Sequence, residues 1–392
     1  MNCRVTLLGA TGSVGTSAVD VILADPGRFE VHAVAANSNA AKLAETARRV
    51  GARRAVIADE AHLPALREAL AGSGIAVTAG AQALDEAAAE PVDIVLSAIV
   101  GAAGLPPTAA AIRSGNRIAL ANKECLICAG SALMALAKKH QVHILPVDSE
   151  HNALYQLLDG RDPAHIRTYT LTASGGPFRT WPAERLAAAT PAQAVAHPTW
   201  SMGAKISVDS ATLMNKGLEL IEAHHLFTLA PDSLAVLVHP QSVVHAMITF
   251  HDGSIHAELG PADMRRPIGY CLHWPERARA PAKTLDLAAI GQLTFERADV
   301  NRFPALALAI AALAHGRGAS TVLNAANEIA VQAFLAGRIG FTAIPAIVEK
   351  TLTTAGSEGL LSEPSSINDA LALDSSARRI AQADLAKRFA AA

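Results

Sequence analysis

Aromatic side chains are scarce in this 392-residue chain, at 4%, and charged residues reach only 17%. Basic residues number 33 against 35 acidic, a net charge of −2, so there is no basic footprint for a nucleic acid or an anionic membrane. A small-molecule partner is the remaining default. Cysteine is equally sparse. Cys3, Cys125, Cys128 and Cys271 do not make a disulfide framework in a chain of this size. Cys125 and Cys128 are spaced C-x-x-C, but no second such pair and no nearby histidine pair completes a zinc set. Two buried thiols on one helical face are expected instead. Long unbroken apolar runs are missing too. Ile94–Ile112 has the length to cross a bilayer, yet it carries Ser97, Gly101, Gly104 and Pro106-Pro107, which break a spanning helix. It reads as strand, turn and helix start. Met-Asn-Cys-Arg runs straight into an apolar strand without a charged leader, so a cytoplasmic location is expected.

What is present is apolar bulk. Hydrophobic residues make up 51%, ample for burial and against disorder, and the length calls for two or three domains. Strands are predicted over Arg4–Leu8, Val31–Ala36, Arg54–Ile57, Ile94–Leu96, Arg117–Leu120 and His143–Val147, with alanine-rich helical stretches between them. That alternation means an α/β fold with a parallel, doubly wound, Rossmann-like sheet over 1–147. Alternating strands within 165–275 suggest an α+β domain over 148–274 with a mostly antiparallel sheet. Residues 275–302 read as a linker. Helices at Pro304–His315, Ser320–Ala336, Thr342–Thr354 and Ser366–Arg388 predict a C-terminal helical bundle over 303–392, stopped at Gly316 and Gly337.

Three segments carry chemistry. The first, Gly9-Ala10-Thr11-Gly12-Ser13-Val14-Gly15, joins a predicted strand to a predicted helix with the spacing G-x-x-G-x-x-G. Glycines there permit a tight turn and let backbone N–H groups approach a pyrophosphate. At the end of the second strand, Asn37-Ser38-Asn39 stands where an NAD enzyme places a carboxylate on the ribose. A neutral cluster favours NADP, although the same residues also suit an ordinary turn.

The second segment, Asp148-Ser149-Glu150, ends an apolar run. If extended, it aims both carboxylates the same way, which favours a cation between them; a helix N-cap at Asp148 or Ser149 explains it equally well. In the third, Lys205 to Glu219, helical character from Ser210 puts Asn215, Glu219 and Glu222 on one face beside Lys216. Donors gathered near a helix start suit a phosphate, and Glu219 could complete a carboxylate triad for Mg2+ or Mn2+. The alternative is a solvated face of mixed charge. Between these segments, about 174–204 reads as a mobile flap or as a plain long loop.

Together these segments resemble the 1-deoxy-D-xylulose 5-phosphate reductoisomerase family. The likeness is carried by the glycine turn, Ala121-Asn122-Lys123-Glu124, Pro146 to Asn152, Ala173 to Arg179, His197 to Gly203, Lys205 to Thr212, Met214 to Glu219, His239 to His245 and Leu323 to Glu328. It implies an NADPH- and metal-dependent isomerisation and reduction of 1-deoxy-D-xylulose 5-phosphate to 2-C-methyl-D-erythritol 4-phosphate in non-mevalonate isoprenoid synthesis, by a homodimer. It implies that Asp148, Glu150 and Glu219 are metal ligands, and that Lys123 and Ser149 contact the carbonyl and hydroxyl end of the substrate. Ser174, Ser210, Asn215 and Lys216 would form the phosphate site, with His197 nearby and Trp200 on the flap. Thr11, Gly12, Ser13, Val14, Asn37, Ser38, Asn39, Asn122 and Gly203 would contact NADPH. The chain departs from the family at Asn37-Ser38, where a glycine and a basic residue are frequent, and at Cys125, where a serine is usual. Retro-aldol cleavage with re-addition and a direct ketol shift both remain open. Two rivals stay in view. An NADP-dependent semialdehyde dehydrogenase would need a nucleophilic cysteine, with Cys125 the candidate. The other is a non-catalytic nucleotide-sensing module.

Overall fold

Short aliphatic runs become strands wherever helices can cover both faces. The computed structural model describes residues 2–200, 202–277 and 281–390. Seven strands lie in the first part: β1 (Cys3–Leu8), β2 (Phe29–Ala36), β3 (Arg54–Ile57), β4 (Ala76–Ala79), β5 (Ile94–Ser97), β6 (Arg117–Leu120) and β7 (Ile144–Pro146). They form one sheet in the order β4-β3-β2-β1-β5-β6-β7, with every pairing parallel. Leu7, Val34, Ile57, Leu96 and Ala119 are fully buried in it. The order reverses direction between β1 and β5, and open sheets of this kind bind ligands at such a switch point. β4 was not expected; its four residues lie at the sheet edge and carry no apolar alternation strong enough to read.

By its contacts the chain divides into two compact units. The first comprises Met1–Cys125, Leu133–Asn152 and Asp263–Lys283; the second comprises Leu126–Ala132, Ala153–Ala262 and Thr284–Ala392. In the first, α1 (Ser13–Ala24) follows the glycine turn, α2 (Ala40–Arg49) follows β2, and the helix Arg265–His273 packs on α1. Ile94–Ile112 resolves into β5, a short 3-10 turn and the helix Leu105–Arg113. Among the described residues no helix is long and apolar enough to cross a membrane.

The second unit holds a five-stranded sheet built from β8 (Ile166–Ala173), β9 (Leu234–Val238), β10 (Val244–Phe250), β11 (Ile255–Leu259) and β12 (Glu296–Arg297), in the order β11-β10-β8-β9-β12. Three pairings are antiparallel and only β8 with β9 is parallel, so the sheet is mostly antiparallel as expected. The segment read as a linker contributes β12 and a short helix, Leu287–Ile290; a two-residue strand leaves no periodicity to find. Residues 278–280 of that segment lie outside the described residues. The four C-terminal helices run Pro304–His315, Ala319–Leu335, Ala343–Ser357 and Ile367–Ala390. Ser366 accepts the Asp369 N–H at 3.1 Å, which fixes the start of the last one.

The stretch expected as one flap is built in two parts. Phe178, Leu186, Ala189 and Ala194 are buried in the core of the second unit, with Phe178 stacked edge-on against Phe341 at 5.0 Å. Its remaining part, from Ala196 on, is mostly open to solvent, with Trp200 and Met202 half-buried; Ser201 lies outside the described residues.

Candidate active site

In the first unit the glycine turn closes for steric reasons. Gly9 has φ +86°, and a Cβ there would fall onto the Ala98 carbonyl at the end of β5; a Cβ on Gly15 would strike the Ala10 backbone. Only glycine lets the turn lie against β5 and α1 against β1. Gly12 caps α1, and the first turn of that helix carries no acidic side chain. The N–H groups at Ser13 and Val14 therefore stand at a helix N-terminus suited to a phosphate. After β2, Asn39 caps α2 by accepting the Lys42 N–H at 3.0 Å, leaving Asn37 exposed and Ser38 half-buried. Asn122 is buried, and its side chain is spent inside the unit. It donates to the carbonyls of Ile99 and Gly101 and accepts from Cys125 N–H, so it organises the loop after β5.

Beyond β7 the chain turns helical at Ser149, which corrects the extended reading of Asp148 and Glu150. The cause is capping: Asp148 Oδ1 accepts the N–H groups of Glu150 (3.1 Å) and His151 (3.4 Å). The capping carboxylate keeps a second face for chemistry. Lys123 Nζ meets Asp148 Oδ2 at 3.0 Å with both side chains largely buried, and His151 Nδ1 lies 3.1 Å from Oδ1. Ser149 donates to the Glu150 carboxylate. Lys123, Asp148, Ser149 and Glu150 thus stand in one neighbourhood. His151, fully buried, is a member that the sequence reasoning passed over; its place three residues after a capping aspartate was the available signal.

In the second unit the phosphate candidates gather around a glycine. Gly176, at φ +67°, approaches the Ser210 carbonyl so closely that a Cβ would sit 2.7 Å from it. This brings the loop after β8 onto the end of the helix Ala204–Ala211. Ser174 Oγ accepts the Gly176 N–H at 3.1 Å and lies 2.8 Å from His197 Nε2. His197 Nδ1 accepts N–H groups from Thr199 (3.1 Å) and Trp200 (2.9 Å), which places the ring proton on Nε2, directed at Ser174. Burial lowers the His197 pKa, reinforcing the neutral ring. Trp200 stands 6.3 Å from the His245 ring.

A single helix from Ser210 is not formed. Leu213, at φ +59°, breaks the chain into Ala204–Ala211 and Met214–Phe227, because Thr212 bonds back to the preceding turn and leaves the first helix to end there. Gly203 begins the first of these helices, taking the Ser207 N–H and hydroxyl on its carbonyl. Asn215 and Lys216 open the second. Both donate to Glu219, which is 1% exposed. A carboxylate so buried persists only with such compensation.

Cys125, the candidate nucleophile of the semialdehyde reading, is fully buried with its thiol 3.7 Å from Thr108 Oγ1. A substrate cannot reach it without unfolding the loop. Cys128 is buried as well.

Comparison with known proteins gives concordant likenesses. A family profile described as 1-deoxy-D-xylulose 5-phosphate reductoisomerase matches residues 5–130, and profiles of its C-terminal domains match 144–227 and 259–380. The reductoisomerase of Nitrobacter hamburgensis is 54% identical over 377 residues, 96% of this chain and 93% of the relative. That of Rhodospirillum centenum is 54% identical with the same coverage. Among solved structures, the Zymomonas mobilis reductoisomerase in complex with NADPH superposes with a TM-score of 0.91 at 48% identity, covering 98% of this chain and 99% of the other. A DOX-P reductoisomerase with NADPH, fosmidomycin and magnesium gives 0.92 at 42% identity, covering 98% of each.

Proposed function

The chain belongs to the 1-deoxy-D-xylulose 5-phosphate reductoisomerase family, and from that premise we propose that Asp148, Glu150 and Glu219 hold its divalent cation. The enzyme is an NADP-dependent oxidoreductase that isomerises 1-deoxy-D-xylulose 5-phosphate and reduces the product to 2-C-methyl-D-erythritol 4-phosphate, with NADPH and a divalent metal. Its donor set fits a hard cation: three carboxylates, two of them already bonded to lysines, and no thiolate in the motifs that supply them. When bound, the cation supplies Lewis acidity toward a ketone and its neighbouring hydroxyl. NADPH supplies the hydride, held by Thr11, Gly12, Ser13 and Val14 at the helix N-terminus, with Asn37, Ser38, Asn39, Asn122 and Gly203 as further contacts.

The remaining roles fall to charge and hydrogen bonding. Lys123 offers an ammonium already oriented by Asp148, placed to bond a substrate oxygen as negative charge develops. Ser149 serves the same end of the substrate. Ser174, Ser210, Asn215 and Lys216 bind the phosphate, with His197 holding Ser174 and Trp200 covering the sugar. Phosphate binding remote from the reacting carbons supplies energy for orientation and water exclusion. We assign residues 1–147 to NADPH and 148–274 to metal and substrate, with the exposed end of the 174–204 stretch, from Ala196 on, closing over them, and 303–392 to a helical domain joined through 275–302, which also supplies β12. We further propose a cytoplasmic homodimer using Mg2+ or Mn2+; the exposed outer edge of β11, where Ile255 is 59% exposed, supports self-association.

The observation that carries the metal assignment is the buried Glu219, held by two donors in a helix start. Glu219→Gln should abolish metal-dependent NADPH oxidation with 1-deoxy-D-xylulose 5-phosphate while leaving NADPH affinity nearly intact. A chelator should do the same to the unmodified enzyme. Unchanged turnover in Glu219→Gln would remove that residue from the site.

A further inference from the structure

The NADP assignment leaves a charge unaccounted for. A 2′-phosphate on the adenosine ribose calls for a cation at the end of β2, where an arginine commonly stands. Here that turn is Asn37-Ser38-Asn39, without Lys or Arg. The Asn39 side chain is taken up in capping α2, through the Lys42 N–H. The structure supplies the cation from the next turn of chain. Lys42 Nζ donates to the Thr11 carbonyl at 2.8 Å, so its side chain spans from α2 to the glycine turn. Lys42 is exposed, and among the described residues it enters no ion pair with a carboxylate. Its ammonium has three hydrogens, of which the Thr11 bond uses one.

The N-terminus of α2 adds to the positive potential. The first turn of α2 carries no acidic side chain, and its arginines, Arg48 and Arg49, sit at the far end. Of the carboxylates nearby in sequence, Asp59, whose N–H bonds the Asn37 carbonyl, is held by His62 at 3.0 Å and by the Ala61 N–H, and Glu45 stands one turn along α2 without an ion pair to Lys42 among the described residues.

We propose that Lys42 selects NADPH over NADH: anchored on Thr11, its ammonium pairs with the 2′-phosphate of an adenosine ribose seated between the glycine turn and Asn37-Ser38. The proposal rests on the reading that Thr11–Val14 and Asn37–Asn39 bind the dinucleotide. It explains how a turn without a basic residue retains the preference.

The test is direct binding to the intact enzyme without metal, by titration calorimetry, with NADPH, NADH, adenosine 2′,5′-bisphosphate and AMP as probes. Lys42→Met should weaken NADPH and the bisphosphate roughly ten- to hundredfold, the range of a charge-assisted hydrogen bond. NADH and AMP should change by less than about twofold on the same reasoning. Lys42→Arg should keep the discrimination, and the salt dependence of NADPH binding should be shallower in Lys42→Met. Equal weakening of NADPH and NADH would overturn the proposal, since Lys42 would then only brace the turn. Unchanged NADPH affinity would overturn it too. Gly9→Ala separates the underlying reading: if it leaves all four probes unaffected, the dinucleotide is not bound at this turn.

Discussion

Ser174 Oγ receives two hydrogens, one from the Gly176 N–H and one from His197 Nε2, so its own proton is free to point at an incoming acceptor. The direction is enforced at a distance by the amides of Thr199 and Trp200, which hold Nδ1 of His197 as an acceptor. Ser174→Ala should raise the KM for the phosphorylated substrate about tenfold, the loss of one hydrogen bond to a charged group. NADPH affinity should stay as it is, and a KM that does not move would take Ser174 out of the phosphate site. This arrangement was legible in part. The serine followed by two glycines announced a loop able to approach a ligand, whereas the tautomer of His197 depends on two backbone amides that no residue pattern displays.

At the scale of elements, close packing of small residues decides what the helices can do. Gly217 lies on the helix Met214–Phe227 where a Cβ would collide with the Ala309 side chain of Pro304–His315. That helix pair positions the first two turns, which carry Asn215, Lys216 and Glu219. Gly217→Val should cost about 2–3 kcal/mol through overpacking and lower the Tm by roughly 5 °C or more. Gly217→Ala should cost less, and Ala309→Gly should recover part of the loss, giving a measurable coupling in a double-mutant cycle. Additive effects would mean the two positions do not meet. Strands and helices with strong runs were readable to within a few residues, Pro304–His315 in full. Elements set by partners were not. β12 exists because β9 offers it two residues of ladder, and the break at Leu213 exists because Thr212 caps the preceding helix.

For the molecule as a whole, composition settled the class but not the organisation: the return of Asp263–Lys283 to the first unit is a long-range fact that no local window contains. Its acid response can be argued from both units at once. His225, packed against Gly130, has its pKa pushed down to about 4, first by burial and then by His224. In the same second unit His197 is lowered by burial as well. Unfolding releases both to ordinary histidine values, so between about pH 6.5 and 4 the unfolded chain binds more protons and stability falls with pH. His225 alone accounts for up to about 3 kcal/mol over that window. Lower still, carboxylates act in the same direction. Asp263 is lowered by hydrogen bonds from Arg265; at Glu90, burial raises the pKa but bonds from His32 and Arg54 outweigh it. Asp85, raised by burial, opposes them. Denaturant midpoints measured from pH 7.5 down to 4.5 should therefore decline steadily, most steeply below 6.5. In His225→Gln the decline should be shallower by about one proton's worth, roughly 1.4 kcal/mol per pH unit at most, even if the variant starts from a lower stability at pH 7.5. Parallel curves for the two proteins would show that the acid response is set elsewhere.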